Sequence, residues 1–130
     1  MNCKEQLTLL LFLSLYSLWT EFSTGLTVTR GQNVTLDCPL QTNHTVGIVS
    51  WYKQNAGKEL LMILSYPVNS TSVVQYGGSF QARKWQAVVN RENDSTAPPQ
   101  LLIRTAEEND SATYYCSYSD HHKESVKFQP

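Results

Sequence analysis

Three groupings in the 130-residue chain have residue types and spacings that could do chemistry. Cys38 and Cys116 could form a disulfide, Asp120-His121-His122 could bind a metal, and five Asn-x-Ser/Thr triplets could accept glycans. The histidine pair is weak as a metal site. Adjacent imidazoles lack the i,i+2 or i,i+4 spacing that sets ligands on one face of a strand or helix. No Ser-His-Asp ordering, nucleophile elbow, paired-carboxylate motif or phosphate-binding loop occurs, so neither an enzyme, a cofactor nor a metal site is expected. Ten basic and eleven acidic residues give a net charge of −1 with no basic stripe, which argues against a nucleic-acid surface.

The use of the cysteines depends on compartment. Leu7–Leu18 is an apolar run of 12 residues after a short segment carrying Lys4. That is shorter than the roughly 17–25 residues a membrane span needs and matches the about 7–15 of a secretory h-region. Ser23 and Gly25 suit the small-residue positions of a cleavage site before Leu26, with a cut nearer Thr20 as the alternative, and residues 1–25 are expected to be a signal peptide. Cleavage there leaves 105 residues with nine basic and nine acidic side chains. It also removes Cys3, leaving an even pair in an oxidising compartment, which makes Cys38 and Cys116 a disulfide candidate. No second long apolar run follows. Either the mature product is soluble or a membrane anchor lies outside this sequence.

The elements that must position these residues read as strands. Val34, Leu36 and Cys38 alternate with polar residues. Ile48–Lys53 reads as the next strand, with Val49 and Trp51 on one face and Tyr52 and Gln54 on the other. Glu59–Ser65, Trp85–Val89, Leu101–Arg104 and Thr113–Ser117 give further short strands, and Leu26–Thr29 could precede them. Turn signals recur every 8–12 residues or so, with no internal repeat and no helical periodicity, the pattern of an all-β sandwich.

Cys38, Trp51 thirteen residues later, and Asp110-Ser-Ala-Thr-Tyr-Tyr-Cys116 together resemble an immunoglobulin variable-type (V-set) domain over residues 26–125. The resemblance implies a Greek-key sandwich of two antiparallel sheets over residues 26–130. A Cys38–Cys116 disulfide would bridge facing strands with Trp51 packed against it, and the Tyr114 hydroxyl would reach back to the backbone. It also implies that Asp110 pairs with Lys84 or Arg83, Lys lacking the bidentate fork that Arg offers. One departure concerns the end of the fold. Such domains continue after the third loop into a strand opening Phe-Gly-x-Gly, but here Phe128 is followed by Gln129. The last strand is therefore expected to be missing, truncated or unusual, as in an unrearranged or fragmentary receptor segment.

Two surfaces are left for function. Trp51-Tyr52-Lys53-Gln54, Ala97–Ile103 and Asp110–Cys116 look most like a T-cell receptor chain of α/δ type. That likeness implies a heterodimer with a second variable domain through Tyr52, Gln54, Leu60 and Tyr115. Segments 41–47, 65–74 and 117–125 resemble the hypervariable loops, implying that Asn43, His44, Tyr66, Asn69, Tyr118, Asp120, His121 and His122 face a peptide–MHC or other cell-surface ligand. Glycans are expected at two or more of Asn33, Asn43, Asn69 and Asn93, with Asn109 too enclosed beside the Asp110 turn. The expected location is the secretory pathway, then the extracellular face of the plasma membrane or the medium. The alternative is a nonrearranging innate immune-type receptor or cell-adhesion module of the same fold.

Overall fold

The structure, a computed structural model, describes residues 4–11, 22–40, 46–89 and 97–119. Among the described residues nine strands form in chain order: β1 (Lys4–Leu11), β2 (Phe22–Thr29), β3 (Val34–Asp37), β4 (Ile48–Gln54), β5 (Leu60–Pro67), β6 (Gln75–Tyr76), β7 (Trp85–Val88), β8 (Gln100–Ile103) and β9 (Thr113–Ser119). The only helical element among the described residues is a 3-10 turn, Glu108–Asp110, ahead of β9. One sheet runs β2-β1-β9-β4-β5-β6 and the other β3-β8-β7.

Pairing is antiparallel throughout except between β1 and β9, which meet in parallel at Thr8↔Thr113 and Leu9↔Tyr114. The edge of β9 away from β4 is thus paired by β1, a segment within the expected signal peptide. β2 runs continuously through the expected cleavage position before Leu26. The residues from 120 onward, where the last strand is expected to be missing, truncated or unusual, lie outside the described residues.

Strand alternation sorts side chains between core and surface. In β3 the buried Val34 and Leu36 alternate with exposed Thr35 and Asp37, and in β8 Leu101 and Ile103 turn inward. From the other sheet Val49, Trp51, Ile63, Leu64 and Tyr114 meet them, all essentially inaccessible to water. Each such burial contributes roughly 1.5–3 kcal/mol, which makes the space between the sheets the main source of stability.

Cys38 and Cys116 are disulfide-bonded across that core, with their Cα atoms 5.6 Å apart and 78 positions between them in sequence. Trp51 lies directly opposite Cys116 in the β4–β9 register, so the indole sits beside the bridge. In the chain-entropy account, closing so long a loop stabilises by about 4–5 kcal/mol. Trp85, entering from β7, packs edge-on to Phe80 at 5.2 Å and lies 6.2 Å from the Tyr114 ring.

Candidate functional site: one sheet face and the loops at its end

The outer face of β4, β5 and β9 is organised by two cross-strand rows. Tyr115, Tyr52 and Met62 share one, and Thr113, Gln54 and Leu60 the next. The register shifts between Trp51 and Tyr52, where Trp51 faces Leu64 and Tyr52 faces Met62. The extra residue, Ile63, is a bulge that leaves two consecutive residues, Ile63 and Leu64, buried. Below the bulge, Leu60 and Met62 point outward at 44% and 36% exposure. Gly77, just after β6, fastens the bulge. Its N–H donates to the Ile63 carbonyl at 2.8 Å, and a Cβ at Gly77 would run into the Met62 carbonyl oxygen.

The sequence reading placed Tyr52, Gln54, Leu60 and Tyr115 on this face, and the structure brings all four together. It missed Met62, although a period of two counted from Leu60 reaches it. The Tyr115 hydroxyl donates to Gln54 Oε1 at 3.0 Å, and Gln54 Nε2 donates to the Lys58 carbonyl at 3.1 Å. A carboxamide has two donors and two lone pairs, so these bonds hold Gln54 in place with half its capacity still open to a partner.

At one end of the sheets lies a charged cluster. Asp110 is buried, and its Oδ2 accepts from the Glu107 N–H at 2.8 Å and pairs with Lys84 Nζ at 2.8 Å. The Tyr114 hydroxyl donates to the Asp110 carbonyl at 2.6 Å, tying β9 to the turn before it. Lys53 was not foreseen here, though alternation with Trp51 puts it on the inner face. It is 8% exposed, its Nζ donates to the Asn109 carbonyl at 2.6 Å, and it lies 5.6 Å from the Trp85 ring centre. Burial pushes its pKa below the ordinary 10.5; nearby Asp110 opposes this and Lys84 adds to it. Anchored in packing and backbone, the cluster serves the fold.

The loop end differs from expectation in one residue. Tyr66 is 1% exposed, so it cannot face a ligand. β5 continues through Pro67, and after the bulge its alternation turns Tyr66 inward opposite Val49. The second loop therefore begins after Pro67, with Asn69 exposed and Val73 at 63% exposure. Tyr118 lies within β9, part-buried, and its hydroxyl donates to the Val46 carbonyl at the end of the first loop. Val46 itself is 52% exposed. Asn43, His44, Asp120, His121 and His122 lie outside the described residues.

Among the sequon asparagines, Asn33, Asn69 and Asn109 have exposed side chains, which corrects the enclosure expected at Asn109, while Asn43 and Asn93 lie outside the described residues. Asn109 stands on the 3-10 turn with its carbonyl, rather than its side chain, directed at Lys53 and Asn55.

A model of the immunoglobulin V-set domain matches residues 21–130. The human protein described as probable non-functional T cell receptor beta variable 23-1 is 30% identical over 90 residues, covering 69% of this chain and 70% of its own. Human T cell receptor beta variable 5-1 is 32% identical over 92 residues, 70% and 71% of the two chains. Human T cell receptor alpha variable 14/delta variable 4 is 27% identical over 101 residues, 75% and 77%. The similarity thus extends to β as well as α/δ variable chains.

Proposed function

Because the chain belongs to the immunoglobulin V-set family and is similar to T cell receptor variable chains, we propose that it is one half of a paired antigen-recognition module. It would pair with a second variable domain through the outer face of β4, β5 and β9 and present its loops to a cell-surface ligand such as peptide–MHC. The observation that carries this is the make-up of that face. Tyr52 and Tyr115, part-buried, adjoin exposed Leu60 and Met62, and Gln54 is held upright at the centre by Tyr115 and Lys58. An aromatic and apolar centre with a few oriented polar groups is the composition of protein contact surfaces.

The loop end follows from the same sheet. β4, β5 and β9 carry the first, second and third loops, so a partner on their outer face would set two groups of loops side by side. On this reading residues 1–25 act as a secretory leader and the domain works outside the cell. Co-expression with a panel of variable-domain chains tests the pairing. A partner should co-purify with the wild type, and Gln54→Arg, which sets a charge at the centre of the face, should weaken pairing at least about tenfold by desolvation alone. Failure of every chain to co-purify, or indifference to Gln54→Arg, would refute it.

A further inference from the structure

Gly47 is buried although it ends a surface loop, and it touches all three loop segments. Its carbonyl accepts the Val68 N–H at 2.9 Å, which ties the first loop to the start of the second. Its Cα faces the Tyr118 ring so closely that a Cβ would overlap the ring and the hydroxyl. The preceding carbonyl, Val46, receives the Tyr118 hydroxyl proton. The backbone there has φ +137°, a region that residues with a Cβ rarely occupy. Two independent requirements, the dihedral and the space under the ring, thus select glycine at the same position.

We propose that Gly47 and Tyr118 form a joint that fixes the end of the first loop and the start of the second against the third, making Tyr118 a positioning residue rather than a ligand contact. The inference rests on the recognition reading for its purpose, but not for its geometry. The Tyr118 ring lies over Gly47 and its hydroxyl donates to Val46, so ring and donor are both engaged at the loop bases. Loops so joined lose less freedom when a ligand orders them, since part of the ordering is already present in the free domain. The joint also implies that substitutions at Tyr118 alter the presentation of residues 46–47 and 68–69, which lie on other segments of the chain.

Hydrogen exchange on the full secreted chain tests the joint without any ligand. Tyr118→Phe keeps the ring and removes the hydroxyl donor. It should speed exchange of the Val68 amide and of amides 46–48 by about three- to tenfold, the loss of one hydrogen bond from a local opening. Amides of β3 and β8 should stay within about twofold. A steric cycle supplies the second measurement. Gly47→Ala and Tyr118→Ala should each lower the melting temperature, and the double variant should fall clearly short of the sum, because trimming the ring makes room for the new Cβ. Unchanged exchange in Tyr118→Phe, or additive melting shifts, would overturn the joint. Should Gly47→Ala not be secreted, the Tyr118→Phe exchange result decides alone. If the recognition reading failed instead, no ligand would bind the wild type, and the exchange pattern would stand.

Discussion

Replacing Asp110 by Asn removes one charge and almost no volume, which isolates what the charge contributes. The Asp110 side chain is 4% exposed and that of its partner Lys84 is 25% exposed, with 2.8 Å between Oδ2 and Nζ. Losing one partner of a fully buried pair costs about 3–5 kcal/mol, whereas exposed pairs contribute about 0–1. Lys84 would retain the Thr105 carbonyl at 3.3 Å and the exposed Glu107 carboxylate at 3.9 Å, so it would not be stranded. Lys53 would lose its nearby counter-charge and keep the repulsion of Lys84. The expected cost lies between the two limits, at about 2–3 kcal/mol, or roughly 10–15 °C in melting temperature for a domain of this size. Asp110→Ala should cost about 1 kcal/mol more, because the Glu107 N–H also loses its acceptor. Urea unfolding of the disulfide-intact domain, followed by the fluorescence of Trp51 and Trp85, measures both. A double-mutant cycle with Lys84→Met should return a coupling of at least about 1 kcal/mol that survives high salt. An Asp110→Asn variant within about 0.5 kcal/mol of wild type, or a coupling of zero, would refute the assignment of this pair as a main stabiliser of the turn before β9.

Lys53 predicts a pH dependence. Its folded pKa lies below 10.5, so just below pH 10.5 the unfolded chain holds more protons and stability rises with pH, by at most about 1.4 kcal/mol per unit. Lys53→Met should flatten that rise in pH-dependent urea melts. Tyr76 acts with the opposite sign: burial raises its pKa above 10.0, so its contribution is lost as pH climbs beyond 10, and Tyr76→Phe should remove that loss. Gly77→Ala should destabilise by about 1–3 kcal/mol, because the new Cβ meets backbone at Met62 and the bulge must shift, and a crystal structure should show Met62 displaced. At the Asn33 sequon, Thr35→Ala and Asn33→Gln both remove the acceptor triplet, but only the second breaks the bond from Thr105 N–H to Asn33 Oδ1 at 3.0 Å. Asn33→Gln should therefore melt lower, by about 1–2 kcal/mol in stability, with glycosidase-sensitive gel mobility verifying that both lack the glycan.

The fold was legible because most of it follows from a period of two and a few anchors. The alternation of Val34 with Leu36, of Val49 with Trp51 and of Leu101 with Ile103 assigned faces to strands on sequence alone, and the cysteines and Trp51 tied the two sheets. What escaped was what a uniform period cannot express. The bulge at Ile63 shifts the phase of β5, so Tyr66, counted as loop, turns inward, whereas Met62, before the bulge, follows the period of two from Leu60. Lys53 was hidden for a different reason, since a charge on an inner face contradicts composition rules unless its partners are known. Those partners, the Asn109 carbonyl and the Trp85 ring, come from distant segments. Gly47 read as a loop terminus, and only the fold brings Tyr118 onto it.

Thr105 shows how closely a sequon and the fold can be coupled. It is the one described residue with a side-chain Cβ at positive φ, +51°, a costly conformation for a β-branched side chain. Its N–H is held by Asn33 Oδ1 and its carbonyl by Lys84 Nζ, which also reaches Asp110. A glycan attaches through the asparagine nitrogen, so the oxygen that holds Thr105 stays available whether or not the site is occupied. Asn33, Asn69 and Asn109 all stand outside the strand segments of β4, β5 and β9. Asn109 abuts the end of β4, its carbonyl accepting from Lys53 Nζ and Asn55 Nδ2, whereas Asn33 lies beside Thr105 in the turn after β8. Asn33 immediately precedes β3, in the other sheet from the proposed partner face, so losing the sequon through Thr35→Ala should leave partner co-purification unchanged.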